Sequence, residues 1–216
     1  MKCGIVTPIG PGHSEAYGSC KLSIQFAIER GMGPFSSVEL FPIDDQRAQL
    51  GRSRARNLGV KQAEDAGCDW IFFLDADDLM FEDAFENVNE LINEYDAIWG
   101  LICEAPFNDF AAAKIRERQL RKIHSIEDIL NVDPFLTLQM GVFIKTKIAL
   151  ANPFDEEMDT GEDFKFYLAC WKKYKCIKTD RIFFVNIRGN HSTGPRSADG
   201  RMWRIAVEKQ QKSFRK

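Results

Sequence analysis

Residues 70–80 read Trp-Ile-Phe-Phe-Leu-Asp-Ala-Asp-Asp-Leu-Met, a wholly apolar run that breaks into three carboxylates within four positions. Five large apolar residues in a row fit a strand buried on both faces of a parallel sheet. The carboxylates then fall at its C-terminal end, where open α/β sheets place their ligands. If the strand geometry continues to Asp77, the period-2 alternation turns Asp75 and Asp77 to the same side. Two hard oxygen ligands facing one crevice suit Mg²⁺ or Mn²⁺, with water and a substrate's phosphates completing the shell. The competing reading makes Asp77 or Asp78 the cap of a following helix whose apolar face is Phe81, Phe85, Val88 and Ile92. A cap uses only one of the three carboxylates, which favours the metal.

The elements that must hold this cluster are legible as alternating strands and helices. Residues 3–9 form a first strand, left through a Pro- and Gly-rich loop at 8–13. A helix follows with Ala16, Cys20, Ile24 and Ala27 on one face and Gly31 just past its end. Residues 38–43 alternate as a second strand that runs into Asp44 and Asp45. Ser53 is placed to cap the next helix, which carries Ala55, Leu58, Ala63 and Ala66 on one face and stops at Gly67. This β-α-β-α-β order implies parallel pairing with right-handed crossovers, and hence a three-layer α/β/α sandwich of nucleotide-binding type. Further on, residues 81–93 read as a helix and 97–102 as a strand. Residues 106–124 are irregular and basic, and 138–145 form a strand. An acidic, turn-rich loop at 152–161 leads into a helix at 162–173 with Phe164, Leu168 and Trp171 on one face, and then a strand at 181–187. From Gly200 a short helix pattern (Met202, Ile205, Ala206) ends in basic residues.

The chain has 216 residues, 44% apolar and 28% charged, enough to bury a real core. Its net charge of −3 gives no global attraction to nucleic acid or anionic membrane. The opening residues are too short an apolar run for a signal peptide, and no stretch approaches the roughly 20 apolar residues of a membrane span, so a soluble cytoplasmic protein is expected. Cys3, Cys20, Cys68, Cys103, Cys170 and Cys176 contain no Cys-x-x-Cys pair and read as buried free thiols. Lys114, Arg116, Arg118, Arg121 and Lys122 form a basic run on an expected helix. Arg201, Arg204, Lys209, Lys212, Arg215 and Lys216 form another. Both read first as solvated faces, with a phosphorylated lipid, peripheral contact with an anionic membrane surface or a nucleic-acid acceptor as the alternative. Trp171 and Phe166 read as core, and Trp203 carries little weight.

Several separated motifs, in this order, resemble the family 2 glycosyltransferases with the glycosyltransferase A-type fold. Ile5-Val6-Thr7-Pro8 resembles the family's opening strand and Ile43-Asp44-Asp45 its second-strand acidic pair. Gly51-Arg52-Ser53-Arg54-Ala55-Arg56-Asn57 is similar to its Gly-x-Ser-x-Ala-Arg-Asn, and Asp75-Ala76-Asp77 to its Asp-x-Asp metal motif. Asn152-Pro153-Phe154-Asp155-Glu156 resembles its Gly-Gly-Phe-Asp-Glu loop, Gly161-Glu162-Asp163 its acceptor-side Glu-Asp, and Arg188-Gly189-Asn190-His191 a late Arg-x-x-His. Order and spacing together make the likeness specific over residues 5–197. The chain departs from the family at Gly10-Pro11-Gly12-His13, where a polar turn is usual, and at Gln46, where Gly is common.

The resemblance implies a mostly parallel central sheet, with residues 1–199 as the catalytic domain and 200–216 as a basic helical extension. It implies metal-dependent transfer of a sugar from a nucleotide-diphosphate sugar, a UDP-sugar being favoured, to an acceptor hydroxyl, with inversion. The acceptor, whether glycan, lipid-linked sugar, protein or nucleic acid, is not specified. Carried over by position, Thr7, Pro8 and one of Asp44 or Asp45 line the nucleoside pocket, the other carboxylate making an Asx turn. Arg56 pairs with the diphosphate or base, and Arg52 and Arg54 are solvated. Asp77 coordinates Mn²⁺ or Mg²⁺, and Asp75 holds the ribose or a metal-bound water. His191 is a third ligand or a plain loop histidine, flanked by Arg188 and Arg196, which are expected to close over the diphosphate. Asp163 takes the acceptor's proton with Glu162 beside it, the competing reading being an acidic pair that only complements a helix dipole. A nucleotidyltransferase of the sugar-phosphate type is disfavoured because residues 8–13 contain no Lys or Arg. A non-catalytic nucleotide-sugar-binding protein is disfavoured by the intact carboxylates.

Overall fold

The computed structural model describes residues 1–188 and 201–215. In chain order the elements are β1 (Lys2–Ile9), α1 (Ser14–Arg30), β2 (Ser37–Asp44), α2 (Arg52–Asp65), β3 (Trp70–Phe73), β4 (Leu79–Met80), α3 (Ala84–Val88) and β5 (Ala97–Pro106). There follow β6 (Lys114–Ile115), α4 (Ile126–Asn131), β7 (Val142–Lys145), α5 (Thr146–Ala151), α6 (Glu162–Lys173), β8 (Cys176–Arg188) and α7 (Arg201–Phe214).

The strands form one sheet in the order β2-β1-β3-β7-β5-β8-β4, with β6 paired to β5. Its longest ladders, β1 with β2 and β5 with β8, are parallel, as is β1 with β3. Strand β7 enters between β3 and β5 antiparallel to both. Because β7 reverses direction once, β5 and β8 run the same way as β1, β2 and β3, and all five end at one edge.

Alternation along each strand splits the apolar residues into two cores, one per face. Ile71 and Phe73 of β3, with Val6 and Trp99, pack against Val60 of α2, Ile148 of α5, Phe166 and Tyr167 of α6 and Trp203 of α7. Trp70 and Phe72 of the same strand, with Ile5 and Phe143, pack against Cys20 and Ile24 of α1 and Phe85 of α3. This gives helix, sheet and helix layers, the expected α/β/α sandwich. Strand β1 and helix α2 approach so closely that a Cβ on Gly59 would lie 2.4 Å from Val6 Cγ1. All six cysteines are free and buried.

Several local expectations are corrected. The helix expected at 81–93 is regular only at Ala84–Val88; Leu91 and Ile92 continue in hydrogen-bonded turns. Leu58 is exposed, and Gly59 and Val60 take the buried face of α2, because the close Gly59 contact rotates the helix toward β1. The basic run at 114–122 is not a helix: it pairs as β6 and then makes turns. Within it Arg116 is largely buried, donating to Glu104, to the Phe135 carbonyl and to Gln139. In α7 the buried residues are Trp203, Val207 and Gln211, while Met202 and Ile205 are exposed. Tertiary contact with α6, not the short apolar pattern, sets that face. Among the described residues, no helix is long and apolar enough to cross a membrane.

Candidate active site

Strand β3 ends at Phe73, and the amide of Leu74 closes the ladder on the Val6 carbonyl at 3.1 Å. The next residues form a turn in which the Asp78 amide donates to the Asp75 carbonyl at 3.0 Å. The extended geometry therefore does not reach Asp77, and strand alternation is not what orients Asp75 and Asp77. A sharp turn compresses three carboxylates beside the sheet's C-terminal edge instead. Asp78 caps no helix either. Its Oδ1 accepts from Asn186 Nδ2 at 2.8 Å and from the Ile187 amide at 3.1 Å, so it fastens the turn to β8. Burial, with Asp77 and Asp75 beside it, pushes the Asp78 carboxyl well above the usual carboxylate range, against those two hydrogen bonds. Asp75 and Asp77 are both half-buried.

Helix α2 points its first turns at this cluster. Its cap is Gly51, with positive φ, and Ser53 lies inside the first turn, its buried hydroxyl unpaired, so the expected serine cap is not made. Arg56 is 2% exposed. Its Nη2 donates to Asp75 Oδ1 at 2.7 Å, its Nη1 to Glu162 Oε1 at 3.4 Å, and its guanidinium lies over the Phe154 ring at 5.3 Å. Burial would lower the Arg56 pKa, but Asp75 and Glu162 outweigh it and raise it, so the cation is fixed. Arg52, expected to be solvated, is half-buried with Nη1 3.7 Å from Glu162 Oε1; Arg54 is exposed as expected. Asn57 donates to the Phe154 carbonyl and to Glu156, and accepts from the Phe154 amide, which ties the acidic loop 152–161 to α2.

That loop delivers helix α6. Gly161, in the left-handed conformation, turns the chain into it, and Glu162 and Asp163 occupy its first turn, 0% and 7% exposed. Asp163 Oδ1 accepts from the Phe164 amide at 2.8 Å and from Trp203 Nε1 at 3.0 Å. Trp203 is the residue that sequence reasoning passed over. Its only signal was an aromatic inside a basic, amphipathic tail, and its partner lies forty positions away.

At the C-terminal end of β1, Thr7 is buried and Pro8 half-buried. Of the two second-strand acids, Asp44, exposed at the tip of β2, makes the Asx turn, its Oδ1 accepting from the Gln46 amide at 3.0 Å. Asp45 holds the longer loop into α2: its Oδ1 accepts from the amides of Gln49 and Leu50 at 2.7 and 2.8 Å, and its Oδ2 from Gly51 at 2.8 Å. Gln46 in turn accepts from Ser14 at the start of α1. Arg188, at the end of β8, is held by Glu104, which also binds Arg116. His191 and Arg196 lie outside the described residues. Among the described residues, no three His, Cys, Asp or Glu side chains come close enough to form a complete metal cage. The donor set is thus a carboxylate turn of hard oxygens at an open edge. It suits a divalent ion that takes one or two protein ligands and completes its shell from phosphate and water.

Residues 40–146 match the family described as Glycosyl transferase family 2. The minor teichoic acid biosynthesis protein GgaB of Bacillus subtilis (strain 168) is 35% identical over 156 residues, covering 68% of this chain. Solved structures of S. aureus TarS share the fold. TarS 1–349 in complex with UDP-GlcNAc superposes with a TM-score of 0.66 over 92% of this chain at 13% identity. A second TarS structure gives 0.63 over 87% at 15% identity. The chain spans 17% of the GgaB length and 61% of TarS 1–349.

Proposed function

The chain belongs to the family 2 glycosyltransferases and has their A-type fold, and from that premise we propose that it transfers a sugar from a UDP-sugar to an acceptor hydroxyl, with inversion and with help from a divalent cation. The observation that carries this reading is the Arg56 bridge. One buried guanidinium bonds Asp75 on the carboxylate turn and Glu162 on the first turn of α6, bringing the two acidic motifs to one cleft. A binding protein has no need of an acid on the acceptor side of its ligand; a transferase does. The UDP and UDP-GlcNAc in the TarS complexes support the donor class.

In this reading Thr7, Pro8 and Asp44 receive the nucleoside, and Asp45 shapes the loop beside them. Asp77 holds the cation directly, and Asp75, oriented by Arg56, holds the ribose or a water of the cation's shell. His191 is the candidate third ligand. A bound Mn²⁺ or Mg²⁺ supplies charge compensation to the departing diphosphate. Asp163 accepts the proton of the acceptor hydroxyl as its oxygen bonds to the anomeric carbon and the bond to the diphosphate oxygen breaks. Transfer by a single displacement, with Asp163 on the side of the sugar opposite the diphosphate, inverts the centre. Glu162, neutralised by Arg52 and Arg56, holds the first turn of α6 in place. A teichoic acid hydroxyl is the first acceptor to test, since GgaB carries that assignment in its name.

The test is thermal unfolding with a panel of UDP- and GDP-sugars, with and without Mn²⁺. At least one UDP-sugar raises Tm in a Mn²⁺-dependent way in the native protein and not in Asp77→Ala. Equal shifts in both proteins, or none with any donor, overturn the assignment.

A further inference from the structure

We infer that Trp203 is a positioning residue for the transfer step, its indole N–H setting the orientation of the Asp163 carboxylate; the inference rests on Asp163 being the base. A carboxylate at the end of a short side chain rotates broadly about its terminal torsion, so a base needs something outside its own backbone to aim it. Two donors meet at Asp163 Oδ1 from different elements, the Phe164 amide of α6 and Trp203 Nε1 of α7. Together they fix the carboxylate plane.

The indole itself is held firmly. Its ring centroid lies 4.6 Å from that of Phe135 and 6.5 Å, edge-on, from that of Phe164, and the residue is 6% exposed. The Arg204 guanidinium also lies over the Phe135 ring, 4.8 Å from its centroid, and pairs with Asp133 at 3.1 Å. Helix α7 is seated by Gln210, which donates to the Gly161 carbonyl, and by Gln211, which donates to Ile129 of α4. Packing alone does not demand the polar contact: the buried indole nitrogens of Trp99 and Trp171 have no hydrogen-bond partner among the described residues. That of Trp203 is spent on the one carboxylate expected to move a proton. Arg56 on α2 interacts with Asp163 through its charge. From α7 it receives an uncharged group that only donates, which orients the acid without exchanging a proton with it.

The experiment compares Trp203→Phe, Gln211→Ala and Asp163→Asn in a transfer assay with UDP-GlcNAc, or whichever UDP-sugar of the panel raises Tm, as donor and teichoic acid as acceptor. Trp203→Phe lowers kcat about tenfold with donor KM unchanged, the signature of lost orientation and not of lost binding. Gln211→Ala, which loosens α7 far from Asp163, lowers Tm but leaves kcat within about twofold. A Trp203→Phe enzyme with native kcat overturns the inference, and so does an equal kcat loss in Gln211→Ala. Should Trp203→Phe not fold, the native protein still decides. One of the four indole N–H resonances exchanges slowly and moves in Asp163→Asn; if none does, the contact is not made. Asp163→Asn that turns over normally removes the base assignment itself, whereas an inactive Asp163→Asn beside a fully active Trp203→Phe overturns only the role of Trp203.

Discussion

Arg56 and Asp75 are joined at 2.7 Å, Nη2 to Oδ1, and the same guanidinium reaches Glu162, so one buried cation ties the turn after β3 to the first turn of α6. The two carboxylates lie 19 and 106 positions from Arg56 in sequence. Removing the cation leaves Glu162, which is 0% exposed, to the more distant Arg52 at 3.7 Å. Arg56→Ala is expected to cost about 3 kcal/mol in urea unfolding, since breaking a buried pair leaves its charge poorly compensated. Arg56→Met combined with Glu162→Gln recovers at least half of that loss while remaining inactive. A double variant no more stable than Arg56→Ala would refute the electrostatic account.

Asp44 and Asp45 separate cleanly by their contacts. Asp45→Ala leaves three amides without their acceptor and costs about 2–3 kcal/mol, with faster hydrogen exchange at Gln49, Leu50 and Gly51. Asp44→Ala changes stability by less than about 0.5 kcal/mol, as exposed positions do. It raises the donor KM instead. The reverse pattern would exchange their roles.

Gly59→Ala places a methyl 2.4 Å from Val6 Cγ1. Neither β1 nor α2 can retreat without disturbing the core, so the substitution costs about 1–3 kcal/mol despite the better helix propensity of alanine. A gain in Tm would show that the interface is slack.

Lys178 is buried in β8, donating to Gln119 and to the Thr137 carbonyl. Burial, with Arg116 adding to it, pushes its pKa down to about 7 from the ordinary 10.5. Between those values the unfolded chain binds the proton that the folded chain has released, so stability rises with pH across that window. The contribution is complete above 10.5 and lost as pH falls through about 7. Lys178→Met has no such term. Measured by urea unfolding, its stability relative to the native protein is highest near pH 6 and declines toward pH 9. A pH-independent difference would mean that Lys178 keeps its charge in the fold.

Much of the scaffold was readable from local pattern. Helix α6 falls at residues 162–173 as the Phe164 and Leu168 spacing implies, Gly31 follows the end of α1, and Gly67 follows α2 in the left-handed conformation that favours glycine. Errors arose where a local rule had a tertiary competitor. Serine at position 53 is a good cap in isolation, but Gly51 caps the helix two positions earlier, with its amide anchored on Asp45. Leu58 suited a helical apolar stripe, yet only Gly59 lets α2 reach β1. Arg52 looked solvated because its partner, Glu162, stands far along the chain.

The sequence by itself determined the layer architecture and marked the carboxylates at 75, 77 and 163 as candidates, because apolar periodicity and short motifs are properties of neighbouring residues. Only the tertiary structure decided how those acids are held. Asp75 answers to Arg56, Asp78 to β8, and Asp163 to Trp203 in the last helix. Each contact joins residues that no spacing rule relates, and each exists because burying a polar group is costly until folding brings it a partner.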